Sequence, residues 1–125
     1  MGPGKAHLPY QAAIDAYGNG GFRFSDMSHR GSLLSLPSGI WGWVVGETGE
    51  IDEVSLQPVF AEAGDIDILV LGSGDAPRPL PEPLRWRLRE LGIGLELTPT
   101  GPAVRTYNIL LAERRRVAAG LIAVG

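Results

Sequence analysis

Apolar and polar positions along the chain fall into two textures. In the first third, short apolar runs are broken by clusters of Gly, Asn, Ser and Pro. "AAIDAYG" leads through "GNGG" into "FRFS", which predicts a hairpin whose Gly and Asn residues supply the positive φ of a tight turn. "GSLLSL", the turn "PSG" and "IWGWVV" predict a second pair of strands, rich in β-branched and aromatic residues. After the acidic, exposed connection "GETGEIDE", Ser55 is expected to cap a short helix over "LQPVFAEAG", with Gly64 ending it.

From Asp65 the pattern changes. "IDILVLG" is a continuous apolar run, as in strands buried on both faces. In "PEPLRWRLRELG", Leu84, Leu88 and Leu91 share one helical face and Gly92 supplies the stop. "IGLELT" reads as a strand, Thr100 as the cap of a helix starting near Pro102, and "VAAGLIAV" as the closing strand. Strand, helix, strand, helix, strand argues for an α/β sheet with right-handed crossovers, and the hairpins before it add antiparallel strands. The result is an α/β fold with a mixed sheet, expected as a flexible segment over residues 1–9 and one domain over 10–125.

The 125-residue length suits a single domain with a real core. The chain has no cysteine, which excludes disulfides, thiolate catalysis and Cys-based zinc sites. Its opening residues do not read as a secretion signal, and its apolar runs are too short to span a membrane, so a cytoplasmic location without membrane insertion is expected. Residues 1–65 hold three basic and eight acidic side chains, and residues 66–125 eight basic and six acidic. That tilt is too weak for a nucleic-acid footprint. His7 and His29 lack ligand spacing for zinc and are expected as surface side chains; no metal or cofactor is implied.

The densest stretch is "TGPAVRTYNILLAERRR". On a helix at about 100° per residue, Val104, Tyr107, Leu110 and Leu111 face the core. Arg105, Asn108 and Ala112 lie opposite, with Thr106 and Glu113 flanking them. Tyr107 is therefore a packing residue. Arg105 and Asn108 are open to two readings, a solvated face or a ligand contact. Arg114–Arg116 read as the basic end of the helix, placed against its dipole. If "DILVLG" and "GLELT" run parallel, Gly72, Ser73 and Gly74 share a rim with the next helix start. Their amides and Arg105 would then converge on an anion. This is neither a dinucleotide fingerprint nor a P-loop, and a plain loop turn competes with it. Trp86, between Arg85 and Arg87, is either a solvent-lapped side chain or an interface anchor.

"GSLLSLPSGIWGW", "DILVLGSG" and "PTGPAVRTYNILLAERRRVAAGLI", in that order, resemble a family of small, largely uncharacterised α/β domains. That family includes an assembly factor of mitochondrial respiratory complex I and an adipogenesis-associated protein. The most specific positions are Ala103, Arg105 to Asn108, and Glu113 with Arg115; Arg114 departs from a pattern that often has Gly. The resemblance implies a single three-layer domain, with helices on one side of a mixed sheet and extra strands on the other. It implies no established enzymatic activity, and partner binding in the assembly of a membrane-bound complex.

Two functions follow as expectations. The first is a non-catalytic protein-interaction or assembly module, its partner a protein such as a membrane-complex subunit. Its contacts would be made around Gly72, Ser73, Gly74, Arg105, Thr106, Asn108, Glu113 and Trp86. The second is a small-anion binder or weak hydrolase using the Gly72–Gly74 loop and the helix start.

Overall fold

The two textures become two sheets in a computed structural model that describes residues 7–46 and 49–125. The first six residues of the segment set apart as 1–9, and Glu47 and Thr48 of the acidic connection, lie outside the described residues.

Strands β1 (Ala16–Gly18), β2 (Gly21–Phe24) and β3 (Met27–Arg30) form an antiparallel sheet of three. The expected turn between β1 and β2 has Asn19 at φ 53° and Gly20 at φ 80°, the left-handed pair that matches strand twist in a two-residue hairpin. A second hairpin, β2 to β3, turns on Ser25 (φ 49°) and Asp26 (φ 61°). It carries no glycine, and so gave no signal in the sequence.

The larger sheet has the order β5-β4-β8-β6-β7: β4 (Leu33–Leu36), β5 (Gly39–Gly42), β6 (Ile68–Gly72), β7 (Gly94–Thr98) and β8 (Val117–Leu121). β4 pairs antiparallel with β5 and β8, whereas β6 runs parallel to both β7 and β8. The mixed sheet inferred from the alternation is present. Its central strands β4, β6 and β8 carry apolar side chains on both faces, and each face has its own core. On one, Leu34, Leu69, Leu71 and Ala118 meet α1 (Glu53–Ala61) and α2 (Glu82–Glu90) through Leu56, Val59, Leu84 and Leu88. On the other, Leu33, Val70, Val117 and Ala119 meet Phe22 and Phe24 of the small sheet, together with Ala103, Val104 and Tyr107 of α3 (Thr100–Ala112). The third helix thus shares its face with the additional strands, while α1 and α2 occupy the opposite side. Gly120, in the middle of β8, lets the Trp43 ring lie on the sheet: a Cβ there would fall 2.8 Å from the ring. The Trp43 indole N–H donates to the Ser55 carbonyl at 2.9 Å.

Helix ends refine the sequence reading. Ser55 is not the cap of α1. Asp52 is, accepting from the Ser55 amide at 2.8 Å while the Ser55 hydroxyl accepts from the Asp52 amide at 2.9 Å, a reciprocal capping box. α1 stops at Ala61, and Gly64 lies in the tight turn that follows. Leu84 and Leu88 are buried as expected, but Leu91 is 39% exposed because it is the residue on which α2 closes.

α2 and α3 end the same way. Past α2, Gly92 (φ 74°) donates to Arg89 O at 3.0 Å and Ile93 to Leu88 O at 2.9 Å. Past α3, Arg114 (φ 61°) donates to Leu111 O and Arg115 to Leu110 O, both at 3.0 Å. Both are left-handed closures that favour glycine, and in the second an arginine occupies the strained position. The three arginines are therefore not the last turn of the helix. Arg116 lies beyond it, where its guanidinium donates to both carboxylate oxygens of Asp67, at 3.0 and 3.2 Å, beside the Asp67-to-Arg116 backbone bond at 2.8 Å.

A left-handed non-glycine residue costs about 1 kcal/mol, partly offset by the extra freedom glycine gives the unfolded chain. Arg114→Gly and Asp26→Gly are each expected to raise the unfolding free energy by about 0.5 kcal/mol, read from urea denaturation midpoints. A fall in either midpoint contradicts the strain assignment.

Candidate functional site

The parallel pairing of β6 with β7 brings the 72–74 loop and the start of α3 to one rim of the sheet, where they lock together. Ser73 N–H donates to Thr98 O at 2.8 Å, Gly74 N–H to the Thr100 hydroxyl at 2.9 Å, and Thr100 N–H to Gly74 O at 2.9 Å. The Thr100 hydroxyl donates onward to Ile122 O at 2.7 Å, and Ile122 N–H to Gly72 O at 2.9 Å. Ser73 Oγ donates to Ala76 O at 2.8 Å. Gly72 permits this contact, because a Cβ would stand 3.0 Å from Thr100 Cα and 3.1 Å from Ala103 Cβ.

Two expectations are corrected here. Thr100 is not the helix cap: Pro99 holds that position, and Thr100 is a fully buried cross-link between loop, helix and final strand. The amides of Ser73 and Gly74 point inward to partners within the chain, so they do not form an outward anion cradle. Arg105 lines a separate concavity, between α3 and residues 14–17.

The Arg105–Asn108 cluster divides its work. The Tyr107 ring is fully buried and its hydroxyl donates to Ala12 O at 2.8 Å. With that proton committed, Ser35 Oγ is the donor across the 2.7 Å contact to Tyr107, and Ser35 accepts from Gln11 Nε2 at 3.1 Å. Burial pushes the Tyr107 phenol up to about 12, with the Ser35 hydrogen bond pulling the other way. Asn108 does not face bulk water. Its Oδ1 accepts from Ile14 N–H at 2.8 Å and its Nδ2 donates to Ile14 O at 2.9 Å, so one carboxamide pairs with the extended backbone as a neighbouring strand would. Gln11 adds a bond from Nε2 to Val117 O at 2.8 Å.

The segment from Gln11 to Ile14 is thus fastened to α3, β4 and β8 by side chains. Sequence reasoning singled out Asn108 but missed its partner, since an extended segment accepting from a helix leaves no periodicity. Thr106 is half-buried, Arg105 is exposed, and Glu113 closes the helix with its side chain in solvent.

Trp86 is 54% exposed on the outer side of α2, with the Arg89 guanidinium 5.2 Å from its ring. The Arg87 guanidinium lies 4.6 Å from the Phe60 ring instead, tying α2 to α1. His29 is half-buried, not a free surface side chain. Its ring centroid is 4.6 Å from that of His7, and its Nε2 lies 3.0 Å from Ser32 O. Burial holds the His29 imidazole below its ordinary range; the Ser32 carbonyl opposes this and His7 adds to it. Among the described residues no three His, Asp or Glu side chains gather as a metal site.

A family model described as a protein of unknown function (DUF498/DUF598) matches residues 14–122. An uncharacterised protein of Rhodobacter capsulatus is 38% identical over 98% of this chain and 93% of its own length. The NADH dehydrogenase [ubiquinone] 1 alpha subcomplex assembly factor 3 of Xenopus tropicalis is 33% identical over 87% of this chain, which spans 60% of that protein. A crystal structure described as an outer membrane protein from Bartonella henselae superposes with a TM-score of 0.89, at 50% identity, over 95% of this chain and 100% of that one.

Asn108→Ala strips Ile14 of both bonds and is expected to cost about 2 kcal/mol, measured by chemical denaturation; a loss under about 0.5 kcal/mol would mean water replaces the carboxamide freely. Tyr107 carries a pH signature. Its folded pKa of about 12 lies above the ordinary 10.0, so its contribution is complete below pH 10 and is lost as the pH rises through 12. The wild type is expected to lose about 2–3 kcal/mol across that window. Tyr107→Phe, less stable at neutral pH, is expected to lack this component, and an identical alkaline slope in the variant contradicts the assignment.

Proposed function

The chain belongs to the DUF498/DUF598 family of unknown function, and from that membership we propose that it is a non-catalytic protein-interaction module of the assembly-factor type. The reading is supported by relatives named as assembly factors of NADH dehydrogenase, of which this chain matches about three-fifths of the Xenopus length. No helix among the described residues is long and apolar enough to cross a membrane. The partner class is a protein, such as a subunit of a membrane complex met from the cytoplasm, with no cofactor involved.

One observation carries the proposal. The polar groups that distinguish the sequence are engaged with the chain's own backbone: Ser73 with Ala76, Thr100 with Ile122, Tyr107 with Ala12 and Asn108 with Ile14. Such groups shape a surface. Trp86 and Arg105 remain exposed on it, and Trp and Arg are the residue types that dominate binding energy at interfaces. In this reading Trp86 and Arg105 are contacts, with Thr106 and Glu113 on the same helix as Arg105. Gly72, Ser73, Gly74 and Asn108 set the rim and the helix position behind them. A small-anion binder or weak hydrolase at the 72–74 loop is less favoured, because the Ser73 and Gly74 donors are spent internally.

Affinity capture with the intact protein is expected to recover a specific partner. Trp86→Ala is expected to weaken it by about 2 kcal/mol, roughly thirtyfold, and Arg105→Ala by a smaller factor. Recovery unchanged in both variants counts against these surfaces.

A further inference from the structure

The side chains of five of the ten arginines have partners among the described residues. Arg78 meets the Gly49 carbonyl, Arg85 the Leu80 carbonyl, Arg87 Glu53 and Phe60, Arg89 Trp86, and Arg116 Asp67. The guanidinium groups of Arg23, Arg30 and Arg105 have no hydrogen-bond or ion-pair partner among the described residues. They border two adjoining concavities. A concavity of about 400 Å³ on the small sheet is lined by Arg23 and Arg30, and another of about 380 Å³ beside α3 is lined by Arg105. Ala16 and Tyr17 line both, so β1 is the wall that the two concavities share.

The strand register explains the shape. Ala16, Arg23 and Ser28 are aligned across the three strands, as are Gly18, Gly21 and Arg30, and both rows lie on the face opposite the buried Phe22 and Phe24. Arg23 and Arg30 are diagonal neighbours, roughly 7–8 Å apart at the backbone, beside a floor at Gly18 and Gly21 that has no side chain. Gly21 cannot take a side chain, because a Cβ there would collide with the His29 carbonyl. Tyr17, 44% exposed, bridges the two halves, its hydroxyl 2.6 Å from where a Cβ on Gly101 would stand. Asp15 is the acidic side chain lining the groove, set against three arginines.

Both concavities are open, unlike pockets that enclose most of a small ligand. We infer that these two concavities together form a groove that seats an extended acidic segment of a partner protein, with carboxylates on Arg23, Arg30 and Arg105 and its main chain crossing β1 at Tyr17. The inference rests on the interaction-module reading and supplies the partner's chemistry. Arginine suits the role, since its planar fork takes a carboxylate through two parallel hydrogen bonds.

The test is fluorescence polarisation of the full chain with a labelled ten-residue Glu-Ser repeat and its Gln-Ser counterpart, at low and at physiological salt. The Glu peptide is expected to bind at least tenfold tighter than the Gln peptide and to weaken as salt rises. The double variant Arg23→Gln/Arg30→Gln is expected to weaken it at least tenfold, and Arg105→Gln several-fold. Arg115→Gln, outside the groove, is expected to leave it unchanged, with circular dichroism verifying the fold of each variant. Equal binding of the two peptides, wild-type binding by the double variant, or tighter arginine-dependent binding of adenosine monophosphate than of the Glu peptide overturns the inference. The two proposals fail separately. A captured partner retained by the double variant removes the groove and leaves the module reading. Failure of the wild type to capture any partner removes that reading, while the peptide result stands on its own.

Discussion

The carboxamide of Asn108 takes the place of a missing strand. Residues 11–14 run extended past α3 outside any strand, and a partly buried extended backbone must have its donors and acceptors met. One side chain meets both groups of Ile14, and Tyr107, one residue earlier, meets Ala12 while resting in the core. The segment so held leads directly into β1, so the placement of the small sheet over the large one depends on a helix acting as a strand edge. At the start of the same helix, Thr100 binds loop, helix and closing strand through one hydroxyl. α3 is the hub of the molecule because its polar residues are spent on backbone from distant parts of the chain.

This changes how the most distinctive segment bears on function. A cluster of Arg, Thr, Tyr and Asn on one helix invites a chemical reading. Tyr107 and Asn108 answer to folding, which leaves Arg105 as the exposed member that also borders a depression. Next to it, the small sheet presents a face bare at Gly18 and Gly21 and edged by Arg23 and Arg30.

Much of the fold was legible because burial imposes periodicity. "DILVLG" and "VAAGLIAV" are apolar on successive residues since β6 and β8 are covered on both faces, and Leu84 and Leu88 repeat at the spacing of one helical stripe. The Asn-Gly turn at 19–20 announced itself through residues that tolerate left-handed backbone. Other features lacked such a mark. Ser25 and Asp26 make the same turn without glycine, and Arg114 makes a left-handed helix closure without it. Ser55 looked like a cap because the reciprocal half of a capping box is also a good cap. Which face α3 covers depends on how tightly Gly72 admits it, a contact between residues far apart in sequence. Asn108 on an outer helix face was indistinguishable from a solvated residue until the segment lying over it was seen.

Native-state hydrogen exchange at the Ile14 amide tests the clasp most directly. The structure predicts slow exchange in the wild type, and in Asn108→Ala a selective speeding at Ile14 and the neighbouring residues of its segment, while the amides of β4, β6 and β8 keep their protection. Fast exchange of Ile14 in the wild type, or unchanged slow exchange in the variant, would contradict the account.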